Sequence, residues 1–197
     1  MPTMTGEDLL GLLRAMPAPV MEAPPSDWEE GPALRRAAVL VPLVLHPEGL
    51  TVIFCQRSRH LKRHAGEVSF PGGRIEEGED EVTAALRETQ EEIGIDPARV
   101  TILGRLDTHR AGSGYSIAPV VGVLEPPVVF RPDGTEIEEA FEVPLGFLLE
   151  PDNHRRESMF WRGADRWYNV WNFGDRMIWG ATATVLLNLI QVLRGQR

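Results

Sequence analysis

Two apolar runs, "AAVLVPLVL" (37–45) and "LTVIFCQR" (50–57), are separated by "HPEG", and the pattern predicts a β-hairpin. Upstream, Thr5 and Asp8 have the spacing of a capping box before Leu9, Leu10, Leu12 and Leu13, which predicts a short amphipathic helix. Between helix and hairpin, residues 17–32 contain Pro17, Pro19, Pro24, Pro25 and Pro32 and read as an extended arm. Downstream, "VTILGRLDTH", "SIAPVVGVLE", "ESMFWRG" and "RWYNVWNF" carry strand patterning. Residues 177–193 lack charge and read as a closing helix. They are too short and too rich in Thr182, Thr184, Asn188 and Gln191 for a membrane span. Mixed strands with helices at separated points suggest an α/β sandwich: a core domain over 34–197, preceded by a helix and arm over 1–33.

The stretch "FPGGRIEEGEDEVTAALRETQEEIGI" breaks the ordinary amphipathic pattern. A helix from about Glu81 to Ile93 places Val82, Leu86, Thr89 and Ile93 on one side and Glu88, Glu91 and Glu92 together on another. Like charges at these spacings repel by about 0.2–0.5 kcal/mol per exposed pair, and by more when partly buried. Ala84 and Ala85 flank the acidic stripe and leave room for a ligand or another segment to approach. A solvated acidic face is the usual explanation of such a helix, but it leaves the alanines, the Gly72–Gly73 turn and the preceding basic loop as coincidences. A hard divalent cation, Mg²⁺ or Mn²⁺, accounts for them together, because it prefers a few carboxylates completed by water and substrate phosphate.

Composition narrows the choice of substrate. The chain has 197 residues, 43% hydrophobic and 25% charged, with a net charge of −9. Such a surface disfavours nucleic acid, and an anionic ligand would need a cation or a local basic patch. The single cysteine, Cys55, excludes an internal disulfide and fits a cytoplasmic location. No basic region followed by an apolar run marks a signal peptide at the N-terminus.

From Gly73 the spacing runs five residues to Glu79, seven to Arg87-Glu88, two to Glu91-Glu92 and one to Gly94-Ile95. This resembles the signature of the Nudix hydrolases, with only Thr89 departing, where the family usually has an aliphatic residue. The resemblance implies a mixed β-sheet sandwiched between α-helices, and hydrolysis of a nucleoside diphosphate linked to another group. It implies Glu88 and Glu92 as principal Mg²⁺ ligands with Glu91 assisting. It adds the Gly72 carbonyl to the ligand set and makes Arg87 the residue that orients the carboxylates.

The segment "QRSRHLKRHAGEVSFPGG" precedes that signature. It resembles the coenzyme A pyrophosphatase branch of the family through Arg57-Ser58, Lys62, Gly66 and Phe70-Pro71-Gly72-Gly73. Lys62 departs from the branch's arginine and loses the planar fork that grips a phosphate. "SIAPVVGVL", "EVPLGFLLEPDNH" and "IWGATATVLLNLI" extend the resemblance over most of 34–193. It implies coenzyme A as substrate, split into 3′,5′-ADP and 4′-phosphopantetheine, with acyl derivatives left open. Arg57, Ser58, Lys62 and Phe70 are the expected substrate contacts: the basic loop for the 3′-phosphate, Phe70 or a tryptophan for the adenine.

The general base stays open. Glu67, Glu136, Glu138, Glu139 and Glu142 are candidates, with Glu138 or Glu139 favoured. His109 reads as an exposed loop residue and Cys55 as a packing residue, while Trp161, Trp167, Trp171 and Trp179 read as core. Two alternatives carry weight beside the leading reading. One keeps the chemistry on ADP-ribose, NADH or a dinucleoside polyphosphate; the other is a binding module without catalysis. Small members of the family commonly pair, so a homodimer is expected.

Overall fold

The computed structural model describes residues 6–16, 34–161 and 163–196. The proline-rich arm and Thr5 lie outside them. Helix α1 (Gly6–Arg14) is followed by the hairpin β1 (Arg35–His46) and β2 (Gly49–Arg57), whose register His46↔Gly49 leaves a two-residue turn. Short strands β3 (Val68–Ser69) and β4 (Gly72–Arg74) lead into α2 (Glu81–Ile93). Next come β5 (Thr101–Arg105), β6 (His109–Ala111), β7 (Tyr115–Leu124), β8 (Ile137–Pro144) and α3 (Leu145–Leu149). A hairpin of β9 (His154–Trp161) and β10 (Ala164–Phe173), then β11 (Arg176–Ile178) and α4 (Gly180–Leu193), close the chain.

The large sheet runs β3-β2-β1-β7-β5, with β4 on β1, β6 on β7 and β8 on β2. β1 and β7 are parallel while β1–β2 and β5–β7 are antiparallel, so the sheet is mixed. Alternation along β1 divides two cores. Ala38 and Leu40 meet Ala84 and Ala85 of α2 on one face. Val41 and Leu43 join Leu186, Leu189 and Ile190 of α4 on the other. This is the expected α/β sandwich, and no helix is long and apolar enough to cross a membrane among the described residues.

Leu10 and Leu13 of α1 are buried in the same core as α4 and β2. Several expectations change. The segment carrying Glu138, Glu139 and Glu142 is strand β8, paired along β2, an element absent from the strands predicted above. A register shift between Gln56 and Arg57 interrupts its alternation and hides the strand. His109 lies in β6 rather than in a loop. Met177 and Ile178 form part of β11, so the last helix starts later than its apolar run. Trp171 is buried as expected, whereas Trp167 is 63% exposed on the β9–β10 hairpin.

Candidate active site

Local chemistry fixes α2 at both ends. Asp80 is its N-cap and accepts the Thr83 backbone N–H at 2.7 Å. Gly94 ends it in the left-handed region (φ 72°), and its N–H donates to the Gln90 carbonyl. The helix presents Ala84, Ala85, Thr89, Glu92 and Ile93 to the sheet, while Val82 and Leu86 are only half-buried. The alanines therefore admit strand β1, not a ligand, and the close approach turns Glu88 and Glu92 inward against β4. Thr89, the signature's odd residue, is accommodated by donating its hydroxyl to the Ala85 carbonyl at 2.6 Å.

The two glycines of β4 are the floor of the site. Gly72 (φ 151°) lies against Val39 of β1, and any Cβ there would strike the Ala38 carbonyl oxygen. Its N–H donates to Glu92 Oε2 at 2.9 Å. A Cβ on Gly73 would lie 2.5 Å from the Glu88 carboxyl carbon. Arg87 ties the remaining acids together. Its Nε and Nη2 donate to the two oxygens of Glu79 at 2.8 and 3.1 Å, and its Nη1 to Glu88 and Glu91 at 3.0 Å each. Nη2 also donates to the Arg74 carbonyl at 3.0 Å, clamping β4 to the helix. Arg87 thus hydrogen-bonds Glu79, Glu88 and Glu91 at once, with Glu79 as its bidentate anchor.

Burial makes the pair Glu88 and Glu92 an electrostatic oddity. Glu92 is 7% exposed, and burial pushes its carboxyl up to about 8, opposed by the Gly72 N–H and helped by the neighbouring Glu88 and Glu136 charges. Burial also raises Glu88, against the pull of Arg87. Two partly dehydrated carboxylates whose proton affinities are raised by burial, on a floor without side chains, form an all-oxygen donor set that fits a hard divalent cation. Among the described residues no three acidic, histidine or cysteine side chains form a finished cage. Water, substrate phosphate and backbone oxygens such as that of Gly72 would complete the shell. Glu91 is 60% exposed at its side chain and reaches Arg87, at the rim of this pair.

The basic loop is less free than its sequence suggests. Arg57 Nη2 lies 3.6 Å from Glu136 Oε2, and the Arg57 charge also acts on Glu92. The Glu136 charge in turn raises both Glu88 and Glu92. Ser58 is buried, with its backbone N–H on the Glu136 carbonyl at 2.9 Å, and Lys62 is exposed. Phe70 is 4% exposed and stacks on Phe54 at 4.9 Å, so it has no free face for an adenine. Glu138 and Glu139 line a cavity of about 470 Å³ with Gln56, Arg59, Glu67 and Trp179. Within it, Glu139 is paired to Arg176 at 2.7 Å. Glu142 stands apart, held by His46 at 2.6 Å and by the Thr51 hydroxyl.

A family model described as NUDIX domain matches residues 34–177. The protein named uncharacterized Nudix hydrolase NudL of Yersinia pestis (strain Pestoides F) is 36% identical over 159 residues, 80% of this chain and 79% of its own. Among solved structures, a C. elegans Ap4A hydrolase in a binary complex is 25% identical with a TM-score of 0.49, over 56% of this chain and 80% of that one. The NUDIX domain of Shewanella oneidensis NrtR complexed with ADP ribose is 21% identical with a TM-score of 0.47, over 63% of this chain and 82% of that one.

Proposed function

The chain belongs to the Nudix family and is a Nudix hydrolase, and from that premise we propose that it hydrolyses the diphosphate of coenzyme A, giving 3′,5′-ADP and 4′-phosphopantetheine, with Mg²⁺ or Mn²⁺. One observation carries the choice of substrate. The segment that resembles the coenzyme A branch, residues 56–73, meets the acidic site at both its ends. Arg57 at its start acts on Glu92, and Gly72 at its end donates to the same carboxylate.

Glu88 and Glu92 would hold the cation, which would supply charge neutralisation at the phosphate oxygens and a more acidic water. The chain's own residues do the rest. Arg87 holds Glu88 and Glu91 in fixed rotamers through the Glu79 anchor. The bare Gly72–Gly73 strand lets β4 lie directly against β1 and the glutamates, which fixes Glu88 and Glu92 in the positions such a displacement needs. A carboxylate from β8 and the turn before it, drawn from Glu136, Glu138 and Glu139, takes the proton of the attacking water. Glu136 is favoured by its field on the pair, and Glu139 is the most committed elsewhere, through Arg176. A reducing cytoplasm is the proposed compartment and a homodimer the proposed assembly.

Side-by-side turnover of coenzyme A, dephospho-coenzyme A, ADP-ribose, NADH and a dinucleoside polyphosphate tests the reading. Coenzyme A should have the highest kcat/KM. A higher value for any of the last three would move the substrate elsewhere, and binding without turnover in excess metal would leave only a binding module.

A further inference from the structure

Residues 125–136, between β7 and β8, belong to no strand, yet their last stretch is fastened to the end of α2. The Arg131 N–H donates to the Ile93 carbonyl at 2.8 Å, and the Asp133 N–H to the Glu92 carbonyl at 2.9 Å. Carbonyls in the last turn of a helix have no partner within it, so this segment satisfies two of them. Gly94 makes the approach possible. It leaves the helix at φ 72°, and a Cβ on it would lie 2.8 Å from the Arg131 Cβ.

Beyond this crossing, one side chain shapes the turn. Asp133 Oδ1 accepts the Ile137 N–H at 2.8 Å and the Glu136 N–H at 3.2 Å. Its Oδ2 accepts the Glu136 N–H at 3.0 Å and the Thr135 hydroxyl. Gly134, at φ 73°, closes the turn by donating its N–H to the Ile137 carbonyl at 3.1 Å. Glu136 is therefore held at its N–H by Asp133 and at its carbonyl by the Ser58 N–H, 2.9 Å away. Its side chain is 60% exposed, with one carboxylate oxygen 3.6 Å from Arg57 Nη2. Packing does little to hold so exposed a carboxylate, so the backbone of the turn sets where it can reach.

An aspartate that bonds its own backbone is ordinarily a local device for making a turn. Asp133 does more, because its own N–H is the one bonded to Glu92. A single residue thus joins the end of α2 that carries Glu92 to the backbone that carries Glu136. The Glu136 charge acts on both Glu88 and Glu92, so the spacing leaves the three acids within one another's field.

We propose that Asp133 is a positioning residue for the hydrolysis: its N–H on Glu92 and its carboxylate on the N–H groups of Glu136 and Ile137 set the distance from the acidic pair to Glu136. This rests on the reading of Glu136 as proton acceptor, and not on the choice of coenzyme A. The attacking water gives its proton to Glu136, and Asp133 takes none.

The test uses the full chain with Mg²⁺ and whichever diphosphate of the substrate panel the unaltered protein splits fastest. Asp133→Ala should lower kcat about tenfold or more, with KM and metal affinity within about threefold. Asp133→Asn keeps an Oδ1 acceptor for both N–H groups and should hold kcat within about threefold of the unaltered protein. Adding Asp133→Ala to Glu136→Gln should cost less than about threefold further, because the positioned group is already gone. Should the alanine variant melt below the assay temperature, Asp133→Glu replaces it in both comparisons. That variant keeps the charge, moves the acceptor by a methylene and should show the same loss. Unchanged kcat in Asp133→Ala, an equal loss in Asp133→Asn, a matching fall in metal affinity, or fully multiplicative losses in the double variant would overturn the role. Full turnover in Glu136→Gln would overturn it together with the proton acceptor. Loss in Glu136→Gln without loss at Asp133 would overturn the positioning alone. Coenzyme A left intact while another diphosphate is split would remove the substrate assignment and leave Asp133 in its role.

Discussion

Glu88 lies directly over Gly73, so near that a methyl group on the glycine would sit 2.5 Å from the carboxyl carbon. The contact couples floor and ligand: the glycine is bare because the carboxylate occupies the space a side chain would take.

Gly73→Ala and Gly72→Ala should therefore fail in different ways. The added methyl at 73 meets the movable end of Glu88, so the fold should survive while kcat falls on the order of 10²-fold from a displaced carboxylate. At 72 the methyl meets β1 backbone at a φ of 151°, so the melting temperature should drop as well, by the equivalent of about 1–3 kcal/mol. Thermal melts beside kinetics check this; equal loss of stability in both variants would contradict the assigned roles.

The helix signature was legible because its chemistry is local: spacings of three and four residues put Glu88 beside Glu91 and Glu92, and Arg87 beside Glu91, on any straight helix. Which face the sheet would cover was not. Val82 and Leu86 looked like the buried side, but the small Ala84 and Ala85 allow the closest approach and are fully buried. Phe70 looked like a stacking ring because sequence does not show that Phe54 already covers it.

Stability without metal should depend on pH through Glu92. Its carboxyl titrates near 8 in the fold against an ordinary 4.5. Between those values the folded chain keeps a proton that the unfolded chain has released, so stability falls as pH rises through that window. Each pH unit is worth at most about 1.4 kcal/mol. In EDTA, Glu92→Gln should gain stability relative to the unaltered chain from pH 5 to 8, while losing most turnover when metal is supplied. Parallel melting curves for the two proteins across that range would show that burial does not hold the proton there.

The proton acceptor can be separated from the ligands by its metal titration. Removing the true base should cost on the order of 10²–10⁴ in rate with metal affinity nearly unchanged. That loss is expected at Glu136, with Glu138 and Glu139 next. Glu142→Gln should change the rate less than a fewfold, because His46 and Thr51 already hold that carboxylate. If none of Glu136→Gln, Glu138→Gln and Glu139→Gln loses more than a fewfold, β8 and the turn before it do not supply the base.

The most direct test of the central claim is product analysis of coenzyme A turnover in ¹⁸O-labelled water, with Mg²⁺ and with Mn²⁺. The account predicts two products only, 3′,5′-ADP and 4′-phosphopantetheine, with one ¹⁸O in the phosphate of one of them. Release of inorganic phosphate, products labelled elsewhere, or untouched coenzyme A under conditions where ADP-ribose is split would contradict it.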